Sequence, residues 1–512
     1  MISPIDLEIY WNRLISITDE AGAVLKRTSF STVVRESNDF ACVLLDTEAR
    51  LVAQSSLSIP GFIGTAPLSL KAMLKVFPKE TLQPGDVLFT NDPWIGTGHL
   101  PDATMATPIF YKGKLIAFAI AVAHLSDIGG RQWSADANEM YEEGVRFPVI
   151  KLCDAGKIND FVFQMLEANV RLPQQVRGDI EAQMGALRVA ERRLVEMLQE
   201  YGLFDIDEIA GAIFKASTDA ALRELKLIPP GVYRGYVESD GFDEKVVIHA
   251  TLTVSADGIT VDYSGSTPQV RYGINETYNH TYAYTIFPFK CLLSPDLPNN
   301  DGFTRLFTVI APEGSIVNAR APAAVGARHL IGHQLQSAVF DALATVLPDR
   351  VQADSGTPLW SVLLRGVDAE NGKSFASILF FNGGMGAMRD RDGPPAAGFP
   401  ANISNTPIEV AETLAPVIFG EKRLADGSGG QGKHTGGLGQ VVSLRSMWPG
   451  RLRVSLLTDR TRIPAKGIHG GQPGRVGHVY LNDEPVSNPK SVVEMQEGDK
   501  LELALPGGGG YG

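Results

Sequence analysis

Cysteine is scarce: 512 residues carry three, Cys42, Cys153 and Cys291, far apart in apolar or mixed surroundings. That excludes a disulfide framework and a thiolate zinc site and leaves buried free thiols as the reading. Basic charge is in deficit, 46 lysines and arginines against 58 acids for a formal balance of −12, which argues against a nucleic-acid binder. No apolar run approaches the roughly 18 residues of a membrane span, so no membrane contact is expected. The opening Met1-Ile2-Ser3-Pro4-Ile5-Asp6 has neither a basic head nor a signal-like apolar core, and a cytoplasmic location is expected. A fixed-period repeat and a flexible linker are also missing. What the chain does have is 44% apolar residues, enough for a sizeable core, and 53 glycines concentrated in the last third.

Ser3-Pro4-Ile5-Asp6 reads as a cap, a first-turn proline and a capping acid, and Leu7, Trp11, Leu14, Ala21 and Leu25 follow at helical spacing, so a long first helix is expected. The unbroken apolar runs Phe40 to Leu45, Asp86 to Thr90 and Leu115 to Ala123 predict buried strands. A second helical region spans about 159–197, with Pro173 restarting it and Ile180, Met184, Leu187 and Leu194 as its apolar stripe. Beyond about Pro229 the texture turns to strand and turn: Val246 to Val254 runs into Asp257-Gly258 and returns through Ile259 to Tyr263. Helix is expected again over 327–347, and short strands with glycine loops over 374–512. The fold class is therefore mixed α+β: a helix-and-buried-sheet N-terminal lobe over 1–228, and a β-rich, glycine-loop lobe over 229–512 with an inserted helix near residue 335, the boundary being soft.

Metal-ligand chemistry concentrates in Asn91-Asp92-Pro93-Trp94-Ile95-Gly96-Thr97-Gly98-His99-Leu100-Pro101-Asp102 and in His124-Leu125-Ser126-Asp127-Ile128-Gly129-Gly130. Asp92 and His124 each follow an apolar strand run, where sheet sites collect ligands, and Gly96 and Gly98 let the loop fold His99 and Asp102 back toward them. Two imidazoles with one or two carboxylates suit a divalent Zn, Mn or Fe ion with coordination left open for water. Such an ion lowers the pKa of bound water toward about 7. Asp127 reads as a ligand, a carboxylate orienting a histidine, or a turn residue. Asp39, at a strand edge, is a candidate general base or an N-terminal turn residue.

Four other features carry less. Gly427-Ser428-Gly429-Gly430-Gln431-Gly432-Lys433-His434 nearly fits a phosphate loop, but His434 stands where the magnesium-binding hydroxyl belongs, and no strand leads in nor helix out. His329-Leu330-Ile331-Gly332-His333 spaces two histidines as zinc proteases do, yet Leu330 replaces the catalytic glutamate, so the pair lines a cleft or packs. Asp459-Arg460-Thr461-Arg462 offers guanidinium groups to an anion or to a surface ion pair. The glycine clusters at 382–386, 434–439, 469–471 and 506–512 suit anion binding, a tight interface or ordinary turns.

Taken together, Arg35-Glu36-Ser37-Asn38-Asp39-Phe40, Asn91-Asp92-Pro93 with Gly98-His99, His124 with Asp127-Ile128-Gly129-Gly130, Asp262-Tyr263-Ser264-Gly265-Ser266, Gly467-Ile468-His469-Gly470-Gly471 and Pro506 to Gly512 resemble the hydantoinase B family, in order along almost the whole chain. That family includes B subunits of ATP-dependent hydantoinases and lactamases, half of 5-oxoprolinase, and alpha-type subunits of acetone and acetophenone carboxylases. The resemblance implies a hetero-oligomer with a hydantoinase A-type subunit that binds ATP and Mg, a small cyclic amide or ketone substrate, and a metal site on this chain. It makes His99, Asp102 and His124 the ligands, with Asp92 nearby as a fourth, and leaves Asp39 or Asp127 to deprotonate water. The activity implied is ATP-dependent opening of a hydantoin, 5-oxoproline or lactam ring, with a ketone carboxylase subunit or a non-catalytic scaffold for the kinase-like subunit as alternatives.

Overall fold

The computed structural model describes residues 2–131, 133–367 and 374–512. Its first helix, Pro4–Thr28, begins as the cap signature requires, with the Ser3 hydroxyl accepting the Asp6 N–H. Leu14, Ile17, Ala21 and Leu25 are its buried face, and it lies along the long helix Pro173–Glu200, whose Ile180, Met184, Leu187 and Leu194 are buried in turn. Asp179 ties the two together by accepting the backbone N–H groups of Phe30 and Ser31.

These helices cover one face of a seven-stranded antiparallel sheet. In spatial order its strands are Leu51–Gln54, Phe40–Leu45, Lys114–His124, Asp102–Tyr111, Val87–Thr90, Ile150–Asp154 and Lys157–Ile158. The three apolar runs of the sequence are three of these strands, and they are apolar throughout because both faces are covered. Phe40, Cys42 and Leu44, with Ala119, Ala121 and Ala123, face the long helices. Ala41, Val43 and Leu45, with Phe118, Ile120 and Val122, face the helix Pro60–Val76 and a strand pair from the C-terminal third. Each such large side chain contributes about 1.5–3 kcal/mol on burial.

The chain after residue 228, expected as one β-rich lobe, holds three sheets. Gly231–Ser239, Val246–Val254, Ile259–Asp262 and Phe307–Ile310 form the first, and the alternation of buried Ile248, Ala250 and Leu252 with outward residues shows that helices cover a single face. Those helices are Tyr278–Leu293 and Leu335–Leu343. The expected continuous helix over 327–347 is instead two pieces, His329–Gly332 and Leu335–Leu343, broken at His333 and Gln334. The other two sheets, built on Trp360–Val367 and on Gln440–Ser446, pack face to face around Trp360, Val362, Leu444, Leu501 and Leu503.

At one end of that sandwich the glycine clusters meet one another. Gly508 donates to the Gly437 carbonyl and accepts from Gly430, while Gly384 donates to Pro506. A Cβ at Gly508 would stand 2.0 Å from the Met385 carbonyl oxygen, so only bare backbone fits. Of the expected roles for these clusters, the structure shows a tight interface between segments of the same chain. The phosphate-loop lookalike lies inside it, with the His434 N–H on the Tyr511 carbonyl. Arg460 and Arg462 are held by the chain itself: Arg460 is buried against Gln334 and Asp354, and Arg462, though exposed, donates to carbonyls of Asp240, Phe242 and Asp243. No helix among the described residues is long and apolar enough to cross a membrane. Cys42, Cys153 and Cys291 are free thiols, two of them buried.

Candidate metal centre

Three neighbouring strands of the seven-stranded sheet deliver the site at one end of the strands. Asp102 opens its strand directly opposite His124, which closes the next, so the two side chains share a face. Asp39 precedes the third strand, and its carbonyl accepts the His124 N–H at 3.2 Å. The turn before Asp102 carries His99 back over the same spot. Gly98 has φ of +103°, and a Cβ there would stand 2.6 Å from Arg328 Cδ, so glycine both makes this turn and lets the arginine pass over it.

His99, Asp102 and His124 can each offer an atom such that all three lie within 4.8 Å of one another, and all three residues are buried. His99 Nε2 and Asp102 Oδ1 approach to 2.9 Å without the alignment of a hydrogen bond, and both His124 nitrogens also lack a partner among the described residues. Buried polar atoms left unpaired cost about 1–3 kcal/mol each, so a group of them facing one another is a candidate donor set for a cation. His99 Nδ1 is 2.9 Å from the Gly326 carbonyl, which can only accept; this places the ring proton on Nδ1 and leaves Nε2 with a free lone pair. Asp102 Oδ2 accepts from Thr97 Oγ1 and, at 2.7 Å, from Arg328 Nη2. The residues present fit a divalent ion with two imidazoles and one carboxylate.

The second half of the chain closes the cavity. Asp39, His99, Asp102 and His124 line it together with Trp133, His280, Tyr284, Arg328, His329 and His333. The Trp133 ring lies within 6 Å of His99, His124 and His329, edge-on to the first and tilted to the other two, forming the wall between them. His280 Nδ1 is 2.8 Å from Glu276, His333 Nε2 is 3.2 Å from the Tyr284 hydroxyl, and neither His329 nitrogen has a partner among the described residues. Burial, reinforced by Arg328, holds these imidazoles below their ordinary value; for His124 burial and the neighbouring His99 push it down to about 3. They are therefore neutral and free to ligate or to hydrogen-bond. Burial alone would raise Asp102, but His99 and Arg328 outweigh it and hold the carboxyl below the usual range. Asp39 goes the other way, raised by burial and then by the Asp102 charge.

Two of the residues singled out in the sequence stand elsewhere. Asp92 does not reach the cluster: Oδ1 accepts the Trp94 N–H at 3.0 Å, its carbonyl accepts from Ile95 and Gly96, and Arg146 stands 3.7 Å from Oδ2, so it orders the turn. Asp127 lies on the far side of His124 and Trp133, in an adjoining cavity. Its oxygens are held by Gly129 N–H at 3.0 Å and by Arg171 through both backbone and guanidinium, which leaves it no reach toward the site. Conversely, Glu276, His280, Tyr284, Arg328 and Trp133 went unread. The only signals were the four-residue spacing of Glu276 and His280, and the fact that five of the nine histidines line one cavity.

Comparison with known proteins agrees along the whole length. The family model Hydantoinase B/oxoprolinase matches residues 3–512. The B subunit of a putative D-/L-hydantoinase from Pseudomonas sp. (strain NS671) is 32% identical over 538 residues, covering 100% of this chain and 90% of that protein. The crystal structure of the ATP-dependent caprolactamase from Pseudomonas jessenii superposes with a TM-score of 0.90 at 28% identity, covering 100% of this chain and 91% of that one. A nucleotide-free acetone carboxylase structure shares the fold, with a TM-score of 0.89 at 17% identity over 100% of this chain and 76% of that one. A buried two-histidine, one-aspartate cluster thus sits in a chain that belongs to the Hydantoinase B/oxoprolinase family.

Proposed function

We propose that the chain is the B-type subunit of an ATP-dependent cyclic amidohydrolase. It works with a hydantoinase A-type subunit that binds ATP and Mg, and it supplies a divalent-metal centre at His99, Asp102 and His124. The observation that carries this reading is the convergence of unpaired, buried His99 Nε2, Asp102 Oδ1 and His124 nitrogens in a cavity shared with Asp39. The names of its relatives supply the substrate class: hydantoins and lactams.

Amide resonance makes an unstrained ring carbonyl a poor electrophile, so hydrolysis is easier once the partner has phosphorylated the carbonyl oxygen. A bound ion would provide an acidified water and a positive charge beside the developing oxyanion. The protein's own residues do the rest. Arg328 keeps Asp102 ionised as an anionic ligand. Asp39, its carboxyl raised by burial and then by the Asp102 charge, is the group placed to accept the proton of the attacking water; among the described residues that line the cavity it is the one acid besides Asp102. Neutral His280, His329 and His333 offer hydrogen bonds without adding charge, and Ile59, Phe62, Leu359 and Ile403 form an apolar wall that keeps bulk water out.

A ketone carboxylase subunit is the second reading, favoured by the fold shared with acetone carboxylase. One experiment separates them: copurify the chain with its A-type partner and screen hydantoins, 5-oxoproline, lactams and ketones for stimulated ATP cleavage, with and without bicarbonate. Ring opening coupled to ATP without bicarbonate, abolished by His124→Ala and by chelation, is expected. Bicarbonate-dependent turnover of a ketone would replace this reading, and full activity after chelation would leave only a scaffold role.

A further inference from the structure

Glu143 ends the short helix Met140–Glu143, is 7% exposed, and stands outside the cavity that holds the three candidate ligands. Its Oε1 accepts two successive backbone N–H groups, Val325 at 2.9 Å and Gly326 at 2.7 Å. The carbonyl of that same Gly326 is the acceptor for His99 Nδ1–H at 2.9 Å and also for the Trp133 indole N–H. The peptide carrying this carbonyl is held at its other end as well, Ala327 N–H donating to Gly273 at 2.7 Å. The helix itself is pinned to the same stretch, since Met140 N–H donates to the Pro322 carbonyl at 2.9 Å and Glu139 bridges Ala323.

A buried carboxyl is costly, and a hydrophobic side chain of similar size usually fills such a position at less expense. Here it fixes a segment with little stiffness of its own, Ala323-Ala324-Val325-Gly326, where glycine would otherwise let the carbonyl turn. Gly326 is small for the same reason: a Cβ there would stand 3.0 Å from Glu143 Oε1. The imidazole of a metal-binding histidine is oriented by whatever accepts its other N–H, and that acceptor governs affinity.

We propose that Glu143 is a positioning residue for the metal centre: by clamping the Val325–Gly326 backbone it aims the carbonyl that fixes the tautomer and ring angle of His99, and so presents Nε2 to the cation. This rests on the metal reading above. Burial raises the Glu143 carboxyl to about 8, against the two N–H bonds that lower it, so near neutral pH it is mostly uncharged and glutamine reproduces both its shape and its acceptor.

The test is a chelator-competition titration of the full chain with Zn²⁺ and Co²⁺, with circular dichroism to verify folding, for wild type and the Glu143→Gln, Glu143→Leu and Glu143→Asp variants. Gln is expected to bind within about threefold of wild type, while Leu, lacking the acceptor, and Asp, retracting it, bind about 10–100-fold more weakly with an altered Co²⁺ visible spectrum. A folded Leu or Asp variant that binds like wild type overturns the proposal, as does a Gln variant no better than Leu. Should Leu fail to fold, the Asp and Gln variants decide between them. Failure of the wild-type chain to bind either ion overturns the metal reading itself, which distinguishes the two failures.

Discussion

Asp102 carries a charge in a place water does not reach, and Arg328, 226 residues further along the chain, is what makes that possible. The guanidinium is itself buried, reaching the Thr97 carbonyl through Nε and the carboxylate through Nη2, both at 2.7 Å. Removing one partner of such a pair strands the other, at a cost of about 3–5 kcal/mol. Arg328→Met is accordingly expected to lower unfolding stability by about that much in urea titrations of the metal-free chain. Adding Asp102→Asn should restore more than half of the loss, whereas additive destabilisation in the double variant would show that the pair does not interact as drawn. The candidate ligands were legible as residue types, because two histidines and an aspartate cluster near strand ends. Arg328 was not: it sits among alanines and glycines with no local pattern, and only tertiary packing brings it to Asp102.

At the scale of elements, the outline was readable wherever one physical signal dominated. Ser3-Pro4 fixed the start of the first helix, and the apolar runs fixed three strands whose two faces are both buried. The signal failed where two demands compete. Residues 327–347 are apolar enough for one helix, but Arg328, His329 and His333 must all face the cavity, and the helix breaks at His333 and Gln334. Glycine clusters were also ambiguous, since a turn, an anion nest and a backbone interface share the same composition. The structure resolves that in favour of the interface, with a measurable consequence. Gly508→Ala places a methyl 2.0 Å from the Met385 oxygen, while Gly113→Ala meets nothing within 4 Å and strains only a left-handed turn. The first is expected to cost about 3 kcal/mol or more and the second about 1 kcal/mol, read as chemical denaturation midpoints. Equal costs would mean the backbone contacts at the sandwich end are loose.

For the molecule as a whole, the site is a seam: the N-terminal sheet and the turn before Asp102 supply the three candidate ligands, and residues 273–333 supply the arginine, three further histidines and the carbonyl bonded to His99. Burial beside that seam raises the Glu143 carboxyl. Glu143, raised from 4.5 to about 8, stays protonated when folded at pH values where the unfolded chain has released its proton. Its stabilising contribution is thus complete below the unfolded value and lost as pH rises through about 8. Between pH 7 and 8, above the titration of unfolded histidine, metal-free wild type should lose stability more steeply than Glu143→Gln, by at most about 1.4 kcal/mol per pH unit. Parallel pH profiles of the two would show that the carboxyl is ionised in the folded chain. Domain-scale function was legible for a simple reason: the motif order spans the chain, and the family model matches residues 3–512.

The central claim is that His99, Asp102 and His124 hold one divalent ion. X-ray absorption at the metal edge of the loaded full-length chain tests it most directly. A shell containing two imidazole nitrogens and a carboxylate oxygen, at one ion per chain and lost in His124→Ala, is the result this account predicts. An ion bound without imidazole scattering, or retained unchanged when His124 is removed, would contradict it.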